Sequence, residues 1–219
     1  MTSFNIRFDQ LDDAFVKELQ PSFNDLPETD HKDGKYRLRK YNLVELAGYV
    51  LDKSYLLRDE LEVLDTDTFN QSSKYNKHQG DIDRKFEPIS KNVLFSSAML
   101  KALHSFCVVS NLDFGDQIHI HQIRIITSDE QAEVSPEGVH QDGYEFVGFI
   151  GINRHNVTGG ELMLYHQRGE EPFIKLPISN GTIVTIKDDE LWHNGSPIQP
   201  KYSDSKGYLD LFVLTASQV

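Results

Sequence analysis

The sequence predicts one mainly β domain, an antiparallel sandwich or barrel with helices packed outside one of its sheets. From Gln117 onward the chain falls into short apolar runs separated by turn residues, the pattern of an antiparallel sandwich or barrel. Helical spacing is confined to the first half, where helices would cover one sheet. The 219 residues, 38% hydrophobic and 26% charged, suffice for one sizeable core and carry no repeat or linker. The expected division is a helix-rich part with a lid over 1–110 and a β-barrel core over 111–219, within one domain spanning 1–219.

Taken in order, residues 9–20 place Leu11, Phe15 and Leu19 four apart, a short amphipathic helix that Pro21 would end. The run K-Y-R-L-R-K-Y then alternates Tyr36, Leu38 and Lys40 against Arg37, Arg39 and Tyr41. That suits a strand with one basic face, either a solvated edge or an anion-binding surface. Leu43 to Leu64 mixes helix and strand signals. Phe69 to Ile89 is polar and turn-rich, and a loop that long inside a compact domain points to a lid or pocket wall. Val93 to Val108 has helical spacing, with Leu94, Ala98, Leu103 and Phe106 as core, and Cys107 and His104 as packing residues.

The expected strands are I-H-I-H-Q-I-R-I-I, E-F-V-G-F-I-G-I-N, E-L-M-L-Y-H, F-I-K-L-P-I, T-I-V-T-I-K, L-W-H-N and Y-L-D-L-F-V-L-T-A. Between them, N-V-T-G-G, S-N-G and K-D-D-E read as turns.

Composition narrows the function. A net charge of -12 speaks against a nucleic-acid partner, although charge around a pocket can oppose the global sign. Cys107 is the single cysteine, which excludes an internal disulfide and a cysteine zinc site. The start has no apolar core of signal-peptide length and no segment reaches membrane-spanning length, so the expectation is a cytoplasmic protein without a membrane partner.

Chemistry concentrates between Gly138 and Tyr165. His140 and Asp142 stand two apart ahead of a long apolar run, and on an extended chain such residues point to one side. Gly138 and Gly143 flank them and give backbone room. A third ligand is available at His193, on a strand that can lie beside the first in a rolled sheet. Two histidines and one carboxylate with open positions is the set that non-haem Fe(II) oxygenases use. His119 and His121 form a rival pair two apart on a strand, but position 123 is Ile, so no acid shares their register.

The pieces Y-R-L-R-K-Y (36–41), F-N-Q-S-S-K-Y-N (69–76), R-K-F-E-P-I (84–89), H-Q-I-R-I (121–125), P-E-G-V-H-Q-D-G (136–143), N-V-T-G-G-E (156–161) and D-D-E-L-W-H (188–193) run over most of the chain. Through them it resembles the small bacterial 2-oxoglutarate-Fe(II) dioxygenases typified by L-isoleucine dioxygenase, which hydroxylate free L-amino acids. The resemblance implies a double-stranded β-helix, of jelly-roll or cupin type, with iron held by His140, Asp142 and His193. It also implies dioxygen and 2-oxoglutarate as co-substrates, the latter chelating iron and leaving as succinate and CO2.

The chain departs from that family at one position. Members carry an arginine in an R-D-x-L context for the far carboxylate of 2-oxoglutarate; here G-Y-L-D-L places Leu209 there. A bidentate guanidinium matches a carboxylate well, and Arg124, with Gln122 on the same face, is the expected substitute, ahead of Lys187 and Lys206. For an amino acid substrate, Arg84, with Arg37 and Arg39, could meet the carboxylate. Phe69, Tyr75, Phe86 and Tyr144 could enclose the side chain. Four readings follow: the amino acid hydroxylase; an iron oxygenase or oxidative cyclase with altered co-substrate use, prompted by Leu209; an inactive metal-binding barrel; and a zinc hydrolase on the same ligands.

Overall fold

A computed structural model of the chain describes residues 5–51, 53–128 and 130–218. Its strands are β1 (Ile6–Gln10), β2 (Arg37–Leu46), β3 (Leu61–Val63), β4 (Thr68–Phe69), β5 (Arg84–Lys85), β6 (Gln117–Thr127) and β7 (Phe146–His155). They continue with β8 (Val157–Gly159), β9 (Glu161–Tyr165), β10 (Ile174–Pro177), β11 (Thr182–Lys187), β12 (Trp192–Gly195), β13 (Ile198–Pro200) and β14 (Gly207–Ser217). The helices are α1 (Asp13–Leu19), α2 (Lys91–Leu94) and α3 (Ser97–Ser110).

A seven-stranded sheet runs in the order β1-β11-β7-β14-β6-β2-β3, and a three-stranded sheet, β10-β9-β12, faces it. Isolated bridges Ala132↔Ile198 and His140↔His193 add a further extended segment beside the smaller sheet. This is the mainly β architecture expected from the short-strand pattern, and it is consistent with the jelly-roll core that the resemblance implies.

Both faces of the large sheet are covered, so its strands are apolar throughout rather than alternating. On β7, Ile150 and Ile152 join Phe106 of α3 and Phe23 in one core under the helices, while Val147 and Phe149 face Leu162 and Leu164 of β9. Gly148 is required there, because a Cβ would stand 2.8 Å from the Phe106 ring.

Several local expectations are corrected. Asp9 and Gln10 belong to β1, which pairs with β11, so the first helix starts only at Asp13. α1 does end just before Pro21, at Leu19, and the chain runs on as a 3-10 turn, Gln20–Asp25, whose Phe23 packs edge-on to Phe212 at 5.1 Å. The single helix expected at 93–108 is two, because Ser96 turns the chain and caps α3 through Met99 N (3.1 Å). Within the turn N-V-T-G-G, Val157–Gly159 forms a short strand against β13. Leu43–Leu64 resolves into the end of β2, a 3-10 turn at Arg58–Glu60 and β3. Cys107 is buried in the helix-side core, and His104 is buried with Nε2 3.1 Å from the Lys53 carbonyl.

Candidate metal and carboxylate site

Between the two sheets His140, Asp142 and His193 converge. Backbone hydrogen bonds of 2.9 Å in both directions join residues 140 and 193, and this bridge brings two chain segments together at one point. Nε2 of His140 lies 3.5 Å from Asp142 Oδ1, and Nε2 of His193 lies 3.6 Å from Asp142 Oδ2. All three ligand atoms fall within 4.8 Å of one another. Ligands about 2.1 Å from a shared ion and at right angles stand roughly 3 Å apart, so the set fits a metal after a small contraction.

Each imidazole is held by its other nitrogen, the usual device for aiming a ligand. His140 Nδ1 lies 2.8 Å from the Gly138 carbonyl, and His193 Nδ1 lies 3.1 Å from Asp188 Oδ1. The second oxygen of Asp188 accepts from the backbone N–H of Asp142 (2.7 Å) and of Gly143 (3.1 Å). Gln71 donates its amide to the Asp142 carboxylate (3.0 Å) and to its backbone carbonyl (2.8 Å). Burial would raise the Asp142 carboxyl, but the His140 hydrogen bond and the charge of His193 and His140 hold it well below the carboxylate range. Burial works against the His140 cation, yet Asp142 and Glu137 push its pKa up to about 9. Two neutral-capable nitrogens and one carboxylate oxygen, with open positions, suit iron(II).

The triad opens into a cavity of about 110 Å³ whose opposite wall is cationic. Arg37 and Arg39 of β2 and Arg84 of β5 all line it, although the protein as a whole carries -12. Arg37 Nη1 binds Asp33 Oδ2 at 2.7 Å, and Asp33 is held in turn by Gln79 at 2.9 Å. Burial, then the adjacent Arg84 and Arg37, pull the Arg39 guanidinium down to about 9. The basic face of β2 therefore looks inward and is no solvated edge.

The hairpin formed by β4 and β5, with the turns between them, covers this wall. Phe69 is buried against Tyr41 and Phe86, and the Arg84 guanidinium sits 5.1 Å from the Phe69 ring centre. Asn76 links Gln71 (2.9 Å) to Glu137 (3.2 Å), tying the segment to the metal ligands. Sequence reading missed Gln71 and Asp188. The first stood in a polar loop and the second in a turn, and only its place five residues before His193 hinted at a role.

Other expected site residues lie elsewhere. Arg124 does not face the cavity: its Nε and Nη2 bind Asp210 side-on at 2.6 and 2.8 Å, on the helix side of the sheet. Gln122 shares that face and donates to Ser22 Oγ at 2.7 Å. Neither stands where a ligand in the cavity could touch it, because β6 turns Ile123 and Ile125 inward instead. Tyr144 lines the cavity, but Tyr75 does not; its ring lies over Gly143 on the outer side, where a Cβ at 143 would stand 2.5 Å from it. Lys187 pairs with Glu190 (2.7 Å), and Lys206 is exposed. His119 and His121 form a hydrogen-bonded wall, His119 with Tyr41 (2.8 Å) and His121 with Arg39 (2.6 Å).

A family model described as 2OG-Fe dioxygenase matches residues 20–215. Among solved structures, a bsmA homolog from Methylobium petroleophilum PM1 is 25% identical, with TM-score 0.74 over 94% of this chain and 81% of that one. IDO from Bacillus thuringiensis superposes with TM-score 0.72 at 16% identity, over 96% of this chain and 93% of that one. The Fe(II)/α-ketoglutarate-dependent dioxygenase TqaL does so with TM-score 0.69 at 11% identity, over 98% and 82%. The last two likenesses concern the fold alone. No curated protein matches the chain.

Proposed function

The chain belongs to the 2OG-Fe dioxygenase family, and we propose that within it the protein hydroxylates a free L-amino acid or a close derivative. It is an oxidoreductase with iron(II) and 2-oxoglutarate as its cofactors. The overall change is insertion of one dioxygen atom into a substrate C–H bond, the other leaving in succinate as 2-oxoglutarate loses CO2.

The observation that carries the amino acid reading is the charge of the cavity. Three arginines, Arg37, Arg39 and Arg84, line one wall of the cavity, and the carboxylates Glu137, Asp142 and Glu161 line it elsewhere, so it offers cationic and anionic partners together. A zwitterion is neutral and brings both a carboxylate for the arginines and an ammonium for Glu137. The enclosure of the site supports a small substrate, since His140 and His193 are 8% and 3% exposed behind the β4–β5 hairpin.

His140, Asp142 and His193 would hold iron(II) and leave three positions open, and bound iron supplies dioxygen activation. The Gly138 carbonyl and Asp188 keep the two Nε2 atoms turned toward the ion. Gln71 fixes the Asp142 carboxylate, and Phe69 and Tyr144 shield the cavity from water. Arg84, Phe69 and Tyr144 form the wall against which the amino acid would lie.

The test is a mass-spectrometric screen of the twenty L-amino acids with Fe(II), 2-oxoglutarate and oxygen. A gain of one oxygen with one succinate per product supports the reading. Product without succinate rejects 2-oxoglutarate use and favours the altered oxygenase that Leu209 raised. Absence of any oxidised amino acid, with iron bound, rejects the substrate class.

A further inference from the structure

The guanidinium of Arg84 is 3% exposed, and its Nε and Nη2 reach no hydrogen-bond partner among the described residues. These two donors form one edge of the fork, the edge by which Arg124 grips Asp210 with bonds of 2.6 and 2.8 Å. The same chain thus shows that edge filled by a carboxylate at the partly buried Arg124 and empty at the buried Arg84. Arg37, on the adjoining strand wall, also leaves its Nε buried and unpartnered, since Asp33 occupies Nη1. Asp33 answers the charge of Arg37, but the orphaned Nε and Nη2 donors of Arg84 and Nε of Arg37 still lack an acceptor, and a buried donor without one is costly. Burial, then Arg37, lower the Arg84 pKa, although the charges of Glu137, Asp33 and Asp142 act in the opposite direction.

We infer that Arg84, seconded by Arg37 Nε, is a side-on clamp for a carboxylate of a small ligand bound beside the metal triad. The ring of Phe69, 5.1 Å from the Arg84 guanidinium, fixes its plane, and both arginines line the cavity that contains His140, Asp142 and His193. Among the described residues, β14 itself lines the cavity only with Leu209, Leu211, Val213 and Thr215, none of them a cation. Leu209 is 4% exposed there and packs with Ile123, Ile125 and Leu211. The carboxylate is either the far end of 2-oxoglutarate or the α-carboxylate of the substrate, and only the second of these rests on the amino acid reading.

Zinc-loaded protein separates the two without turnover. Calorimetry with 2-oxoglutarate and with 2-oxopentanoate, which lacks the far carboxylate, reads the first source. Ligand-observed NMR with the twenty L-amino acids, in the presence of 2-oxoglutarate, reads the second. If the clamp holds the co-substrate, Arg84→Met weakens 2-oxoglutarate roughly 10- to 100-fold and leaves 2-oxopentanoate unchanged. If it holds the substrate, 2-oxoglutarate affinity is unchanged and the amino acid signals attenuated by the parent protein recover. Arg84→Lys, which keeps the charge but loses the two-donor edge, rescues only part of either loss. Thermal unfolding of ligand-free Arg84→Met at or above the parent temperature shows that the variant folds and that the buried charge awaited a partner. Binding of both 2-oxo acids and the same amino acids by Arg84→Met as by the parent overturns the inference. A parent protein that binds no amino acid refutes the proposed substrate instead, and the calorimetric arm still decides the clamp.

Discussion

Gln71 holds Asp142 at two points, donating one amide to its carboxylate (3.0 Å) and to its backbone carbonyl (2.8 Å). A residue of the covering hairpin therefore fixes the single anionic metal ligand. Gln71→Leu is expected to weaken iron(II) or manganese(II) binding about 10- to 100-fold, measured by calorimetry. Asn70→Ala, which removes only an exposed bond to Asp83, leaves it unchanged. Equal affinity in parent and Gln71→Leu contradicts this positioning role.

Asp188 serves both halves of the metal site, His193 through one oxygen and the Asp142 and Gly143 amides through the other. Asp188→Ala removes the acceptor of two backbone N–H groups and the close contact to His193 Nδ1. Stability should fall by about 1–3 kcal/mol in urea denaturation, and metal affinity by an order of magnitude or more.

Arg124 and Asp210 form a bidentate pair on the helix side of the sheet, Asp210 being 0% exposed and Arg124 partly buried. Arg124→Met leaves the buried carboxylate with Asn153 but without its cation, and is expected to cost about 1.5–3 kcal/mol. The 2-oxoglutarate dissociation constant of the folded fraction should not move. A selective loss of 2-oxoglutarate binding would restore Arg124 as the co-substrate arginine.

Asp33 carries a pH dependence of defined sign. Burial opposes its charge, but Arg37 and the Gln79 hydrogen bond outweigh this and hold it at about 2, against an ordinary 3.8. Its folded pKa is depressed, so its contribution is complete above pH 3.8 and disappears as pH falls through about 2. That contribution is about 2 kcal/mol. The stability gap between parent and Asp33→Asn, read by denaturant titration from pH 5 to 2, should hold above about pH 3.8 and shrink below it; a constant gap throughout would contradict the linkage.

His140→Ala and Asp142→Ala are expected to abolish turnover while circular dichroism and compactness stay as in the parent. Full activity in either would remove the metal assignment.

The triad was readable in the residues because a two-residue spacing on extended chain is short-range geometry, and the late histidine had few competitors. The strand pattern was readable for the same local reason. Arg124 was not. Alternation along β6 correctly places Gln122 and Arg124 on one face, but it cannot say which face is the cavity. The apolar phase itself switches within β6: Ile118 and Ile120 lie under the helices, whereas Ile123 and Ile125 point inward. His119 and His121 take the inward places before that switch. The basic face of β2 was equally ambiguous until its neighbour, the β4–β5 hairpin, covered it. Gln71 and Asp188 act through long-range partners, at separations that no local pattern encodes.

In the large sheet, only β2 and β3 are neighbours both in space and in strand sequence; every other ladder joins elements far apart along the polymer. β14 is wedged between β6 and β7, so neither of those strands can borrow the other's edge in its place. Such a sheet cannot zip up hairpin by hairpin and must close large loops before contacts repay the entropy. Its assembly therefore belongs to the slow, concerted class, and the iron pocket exists only once that closure is complete.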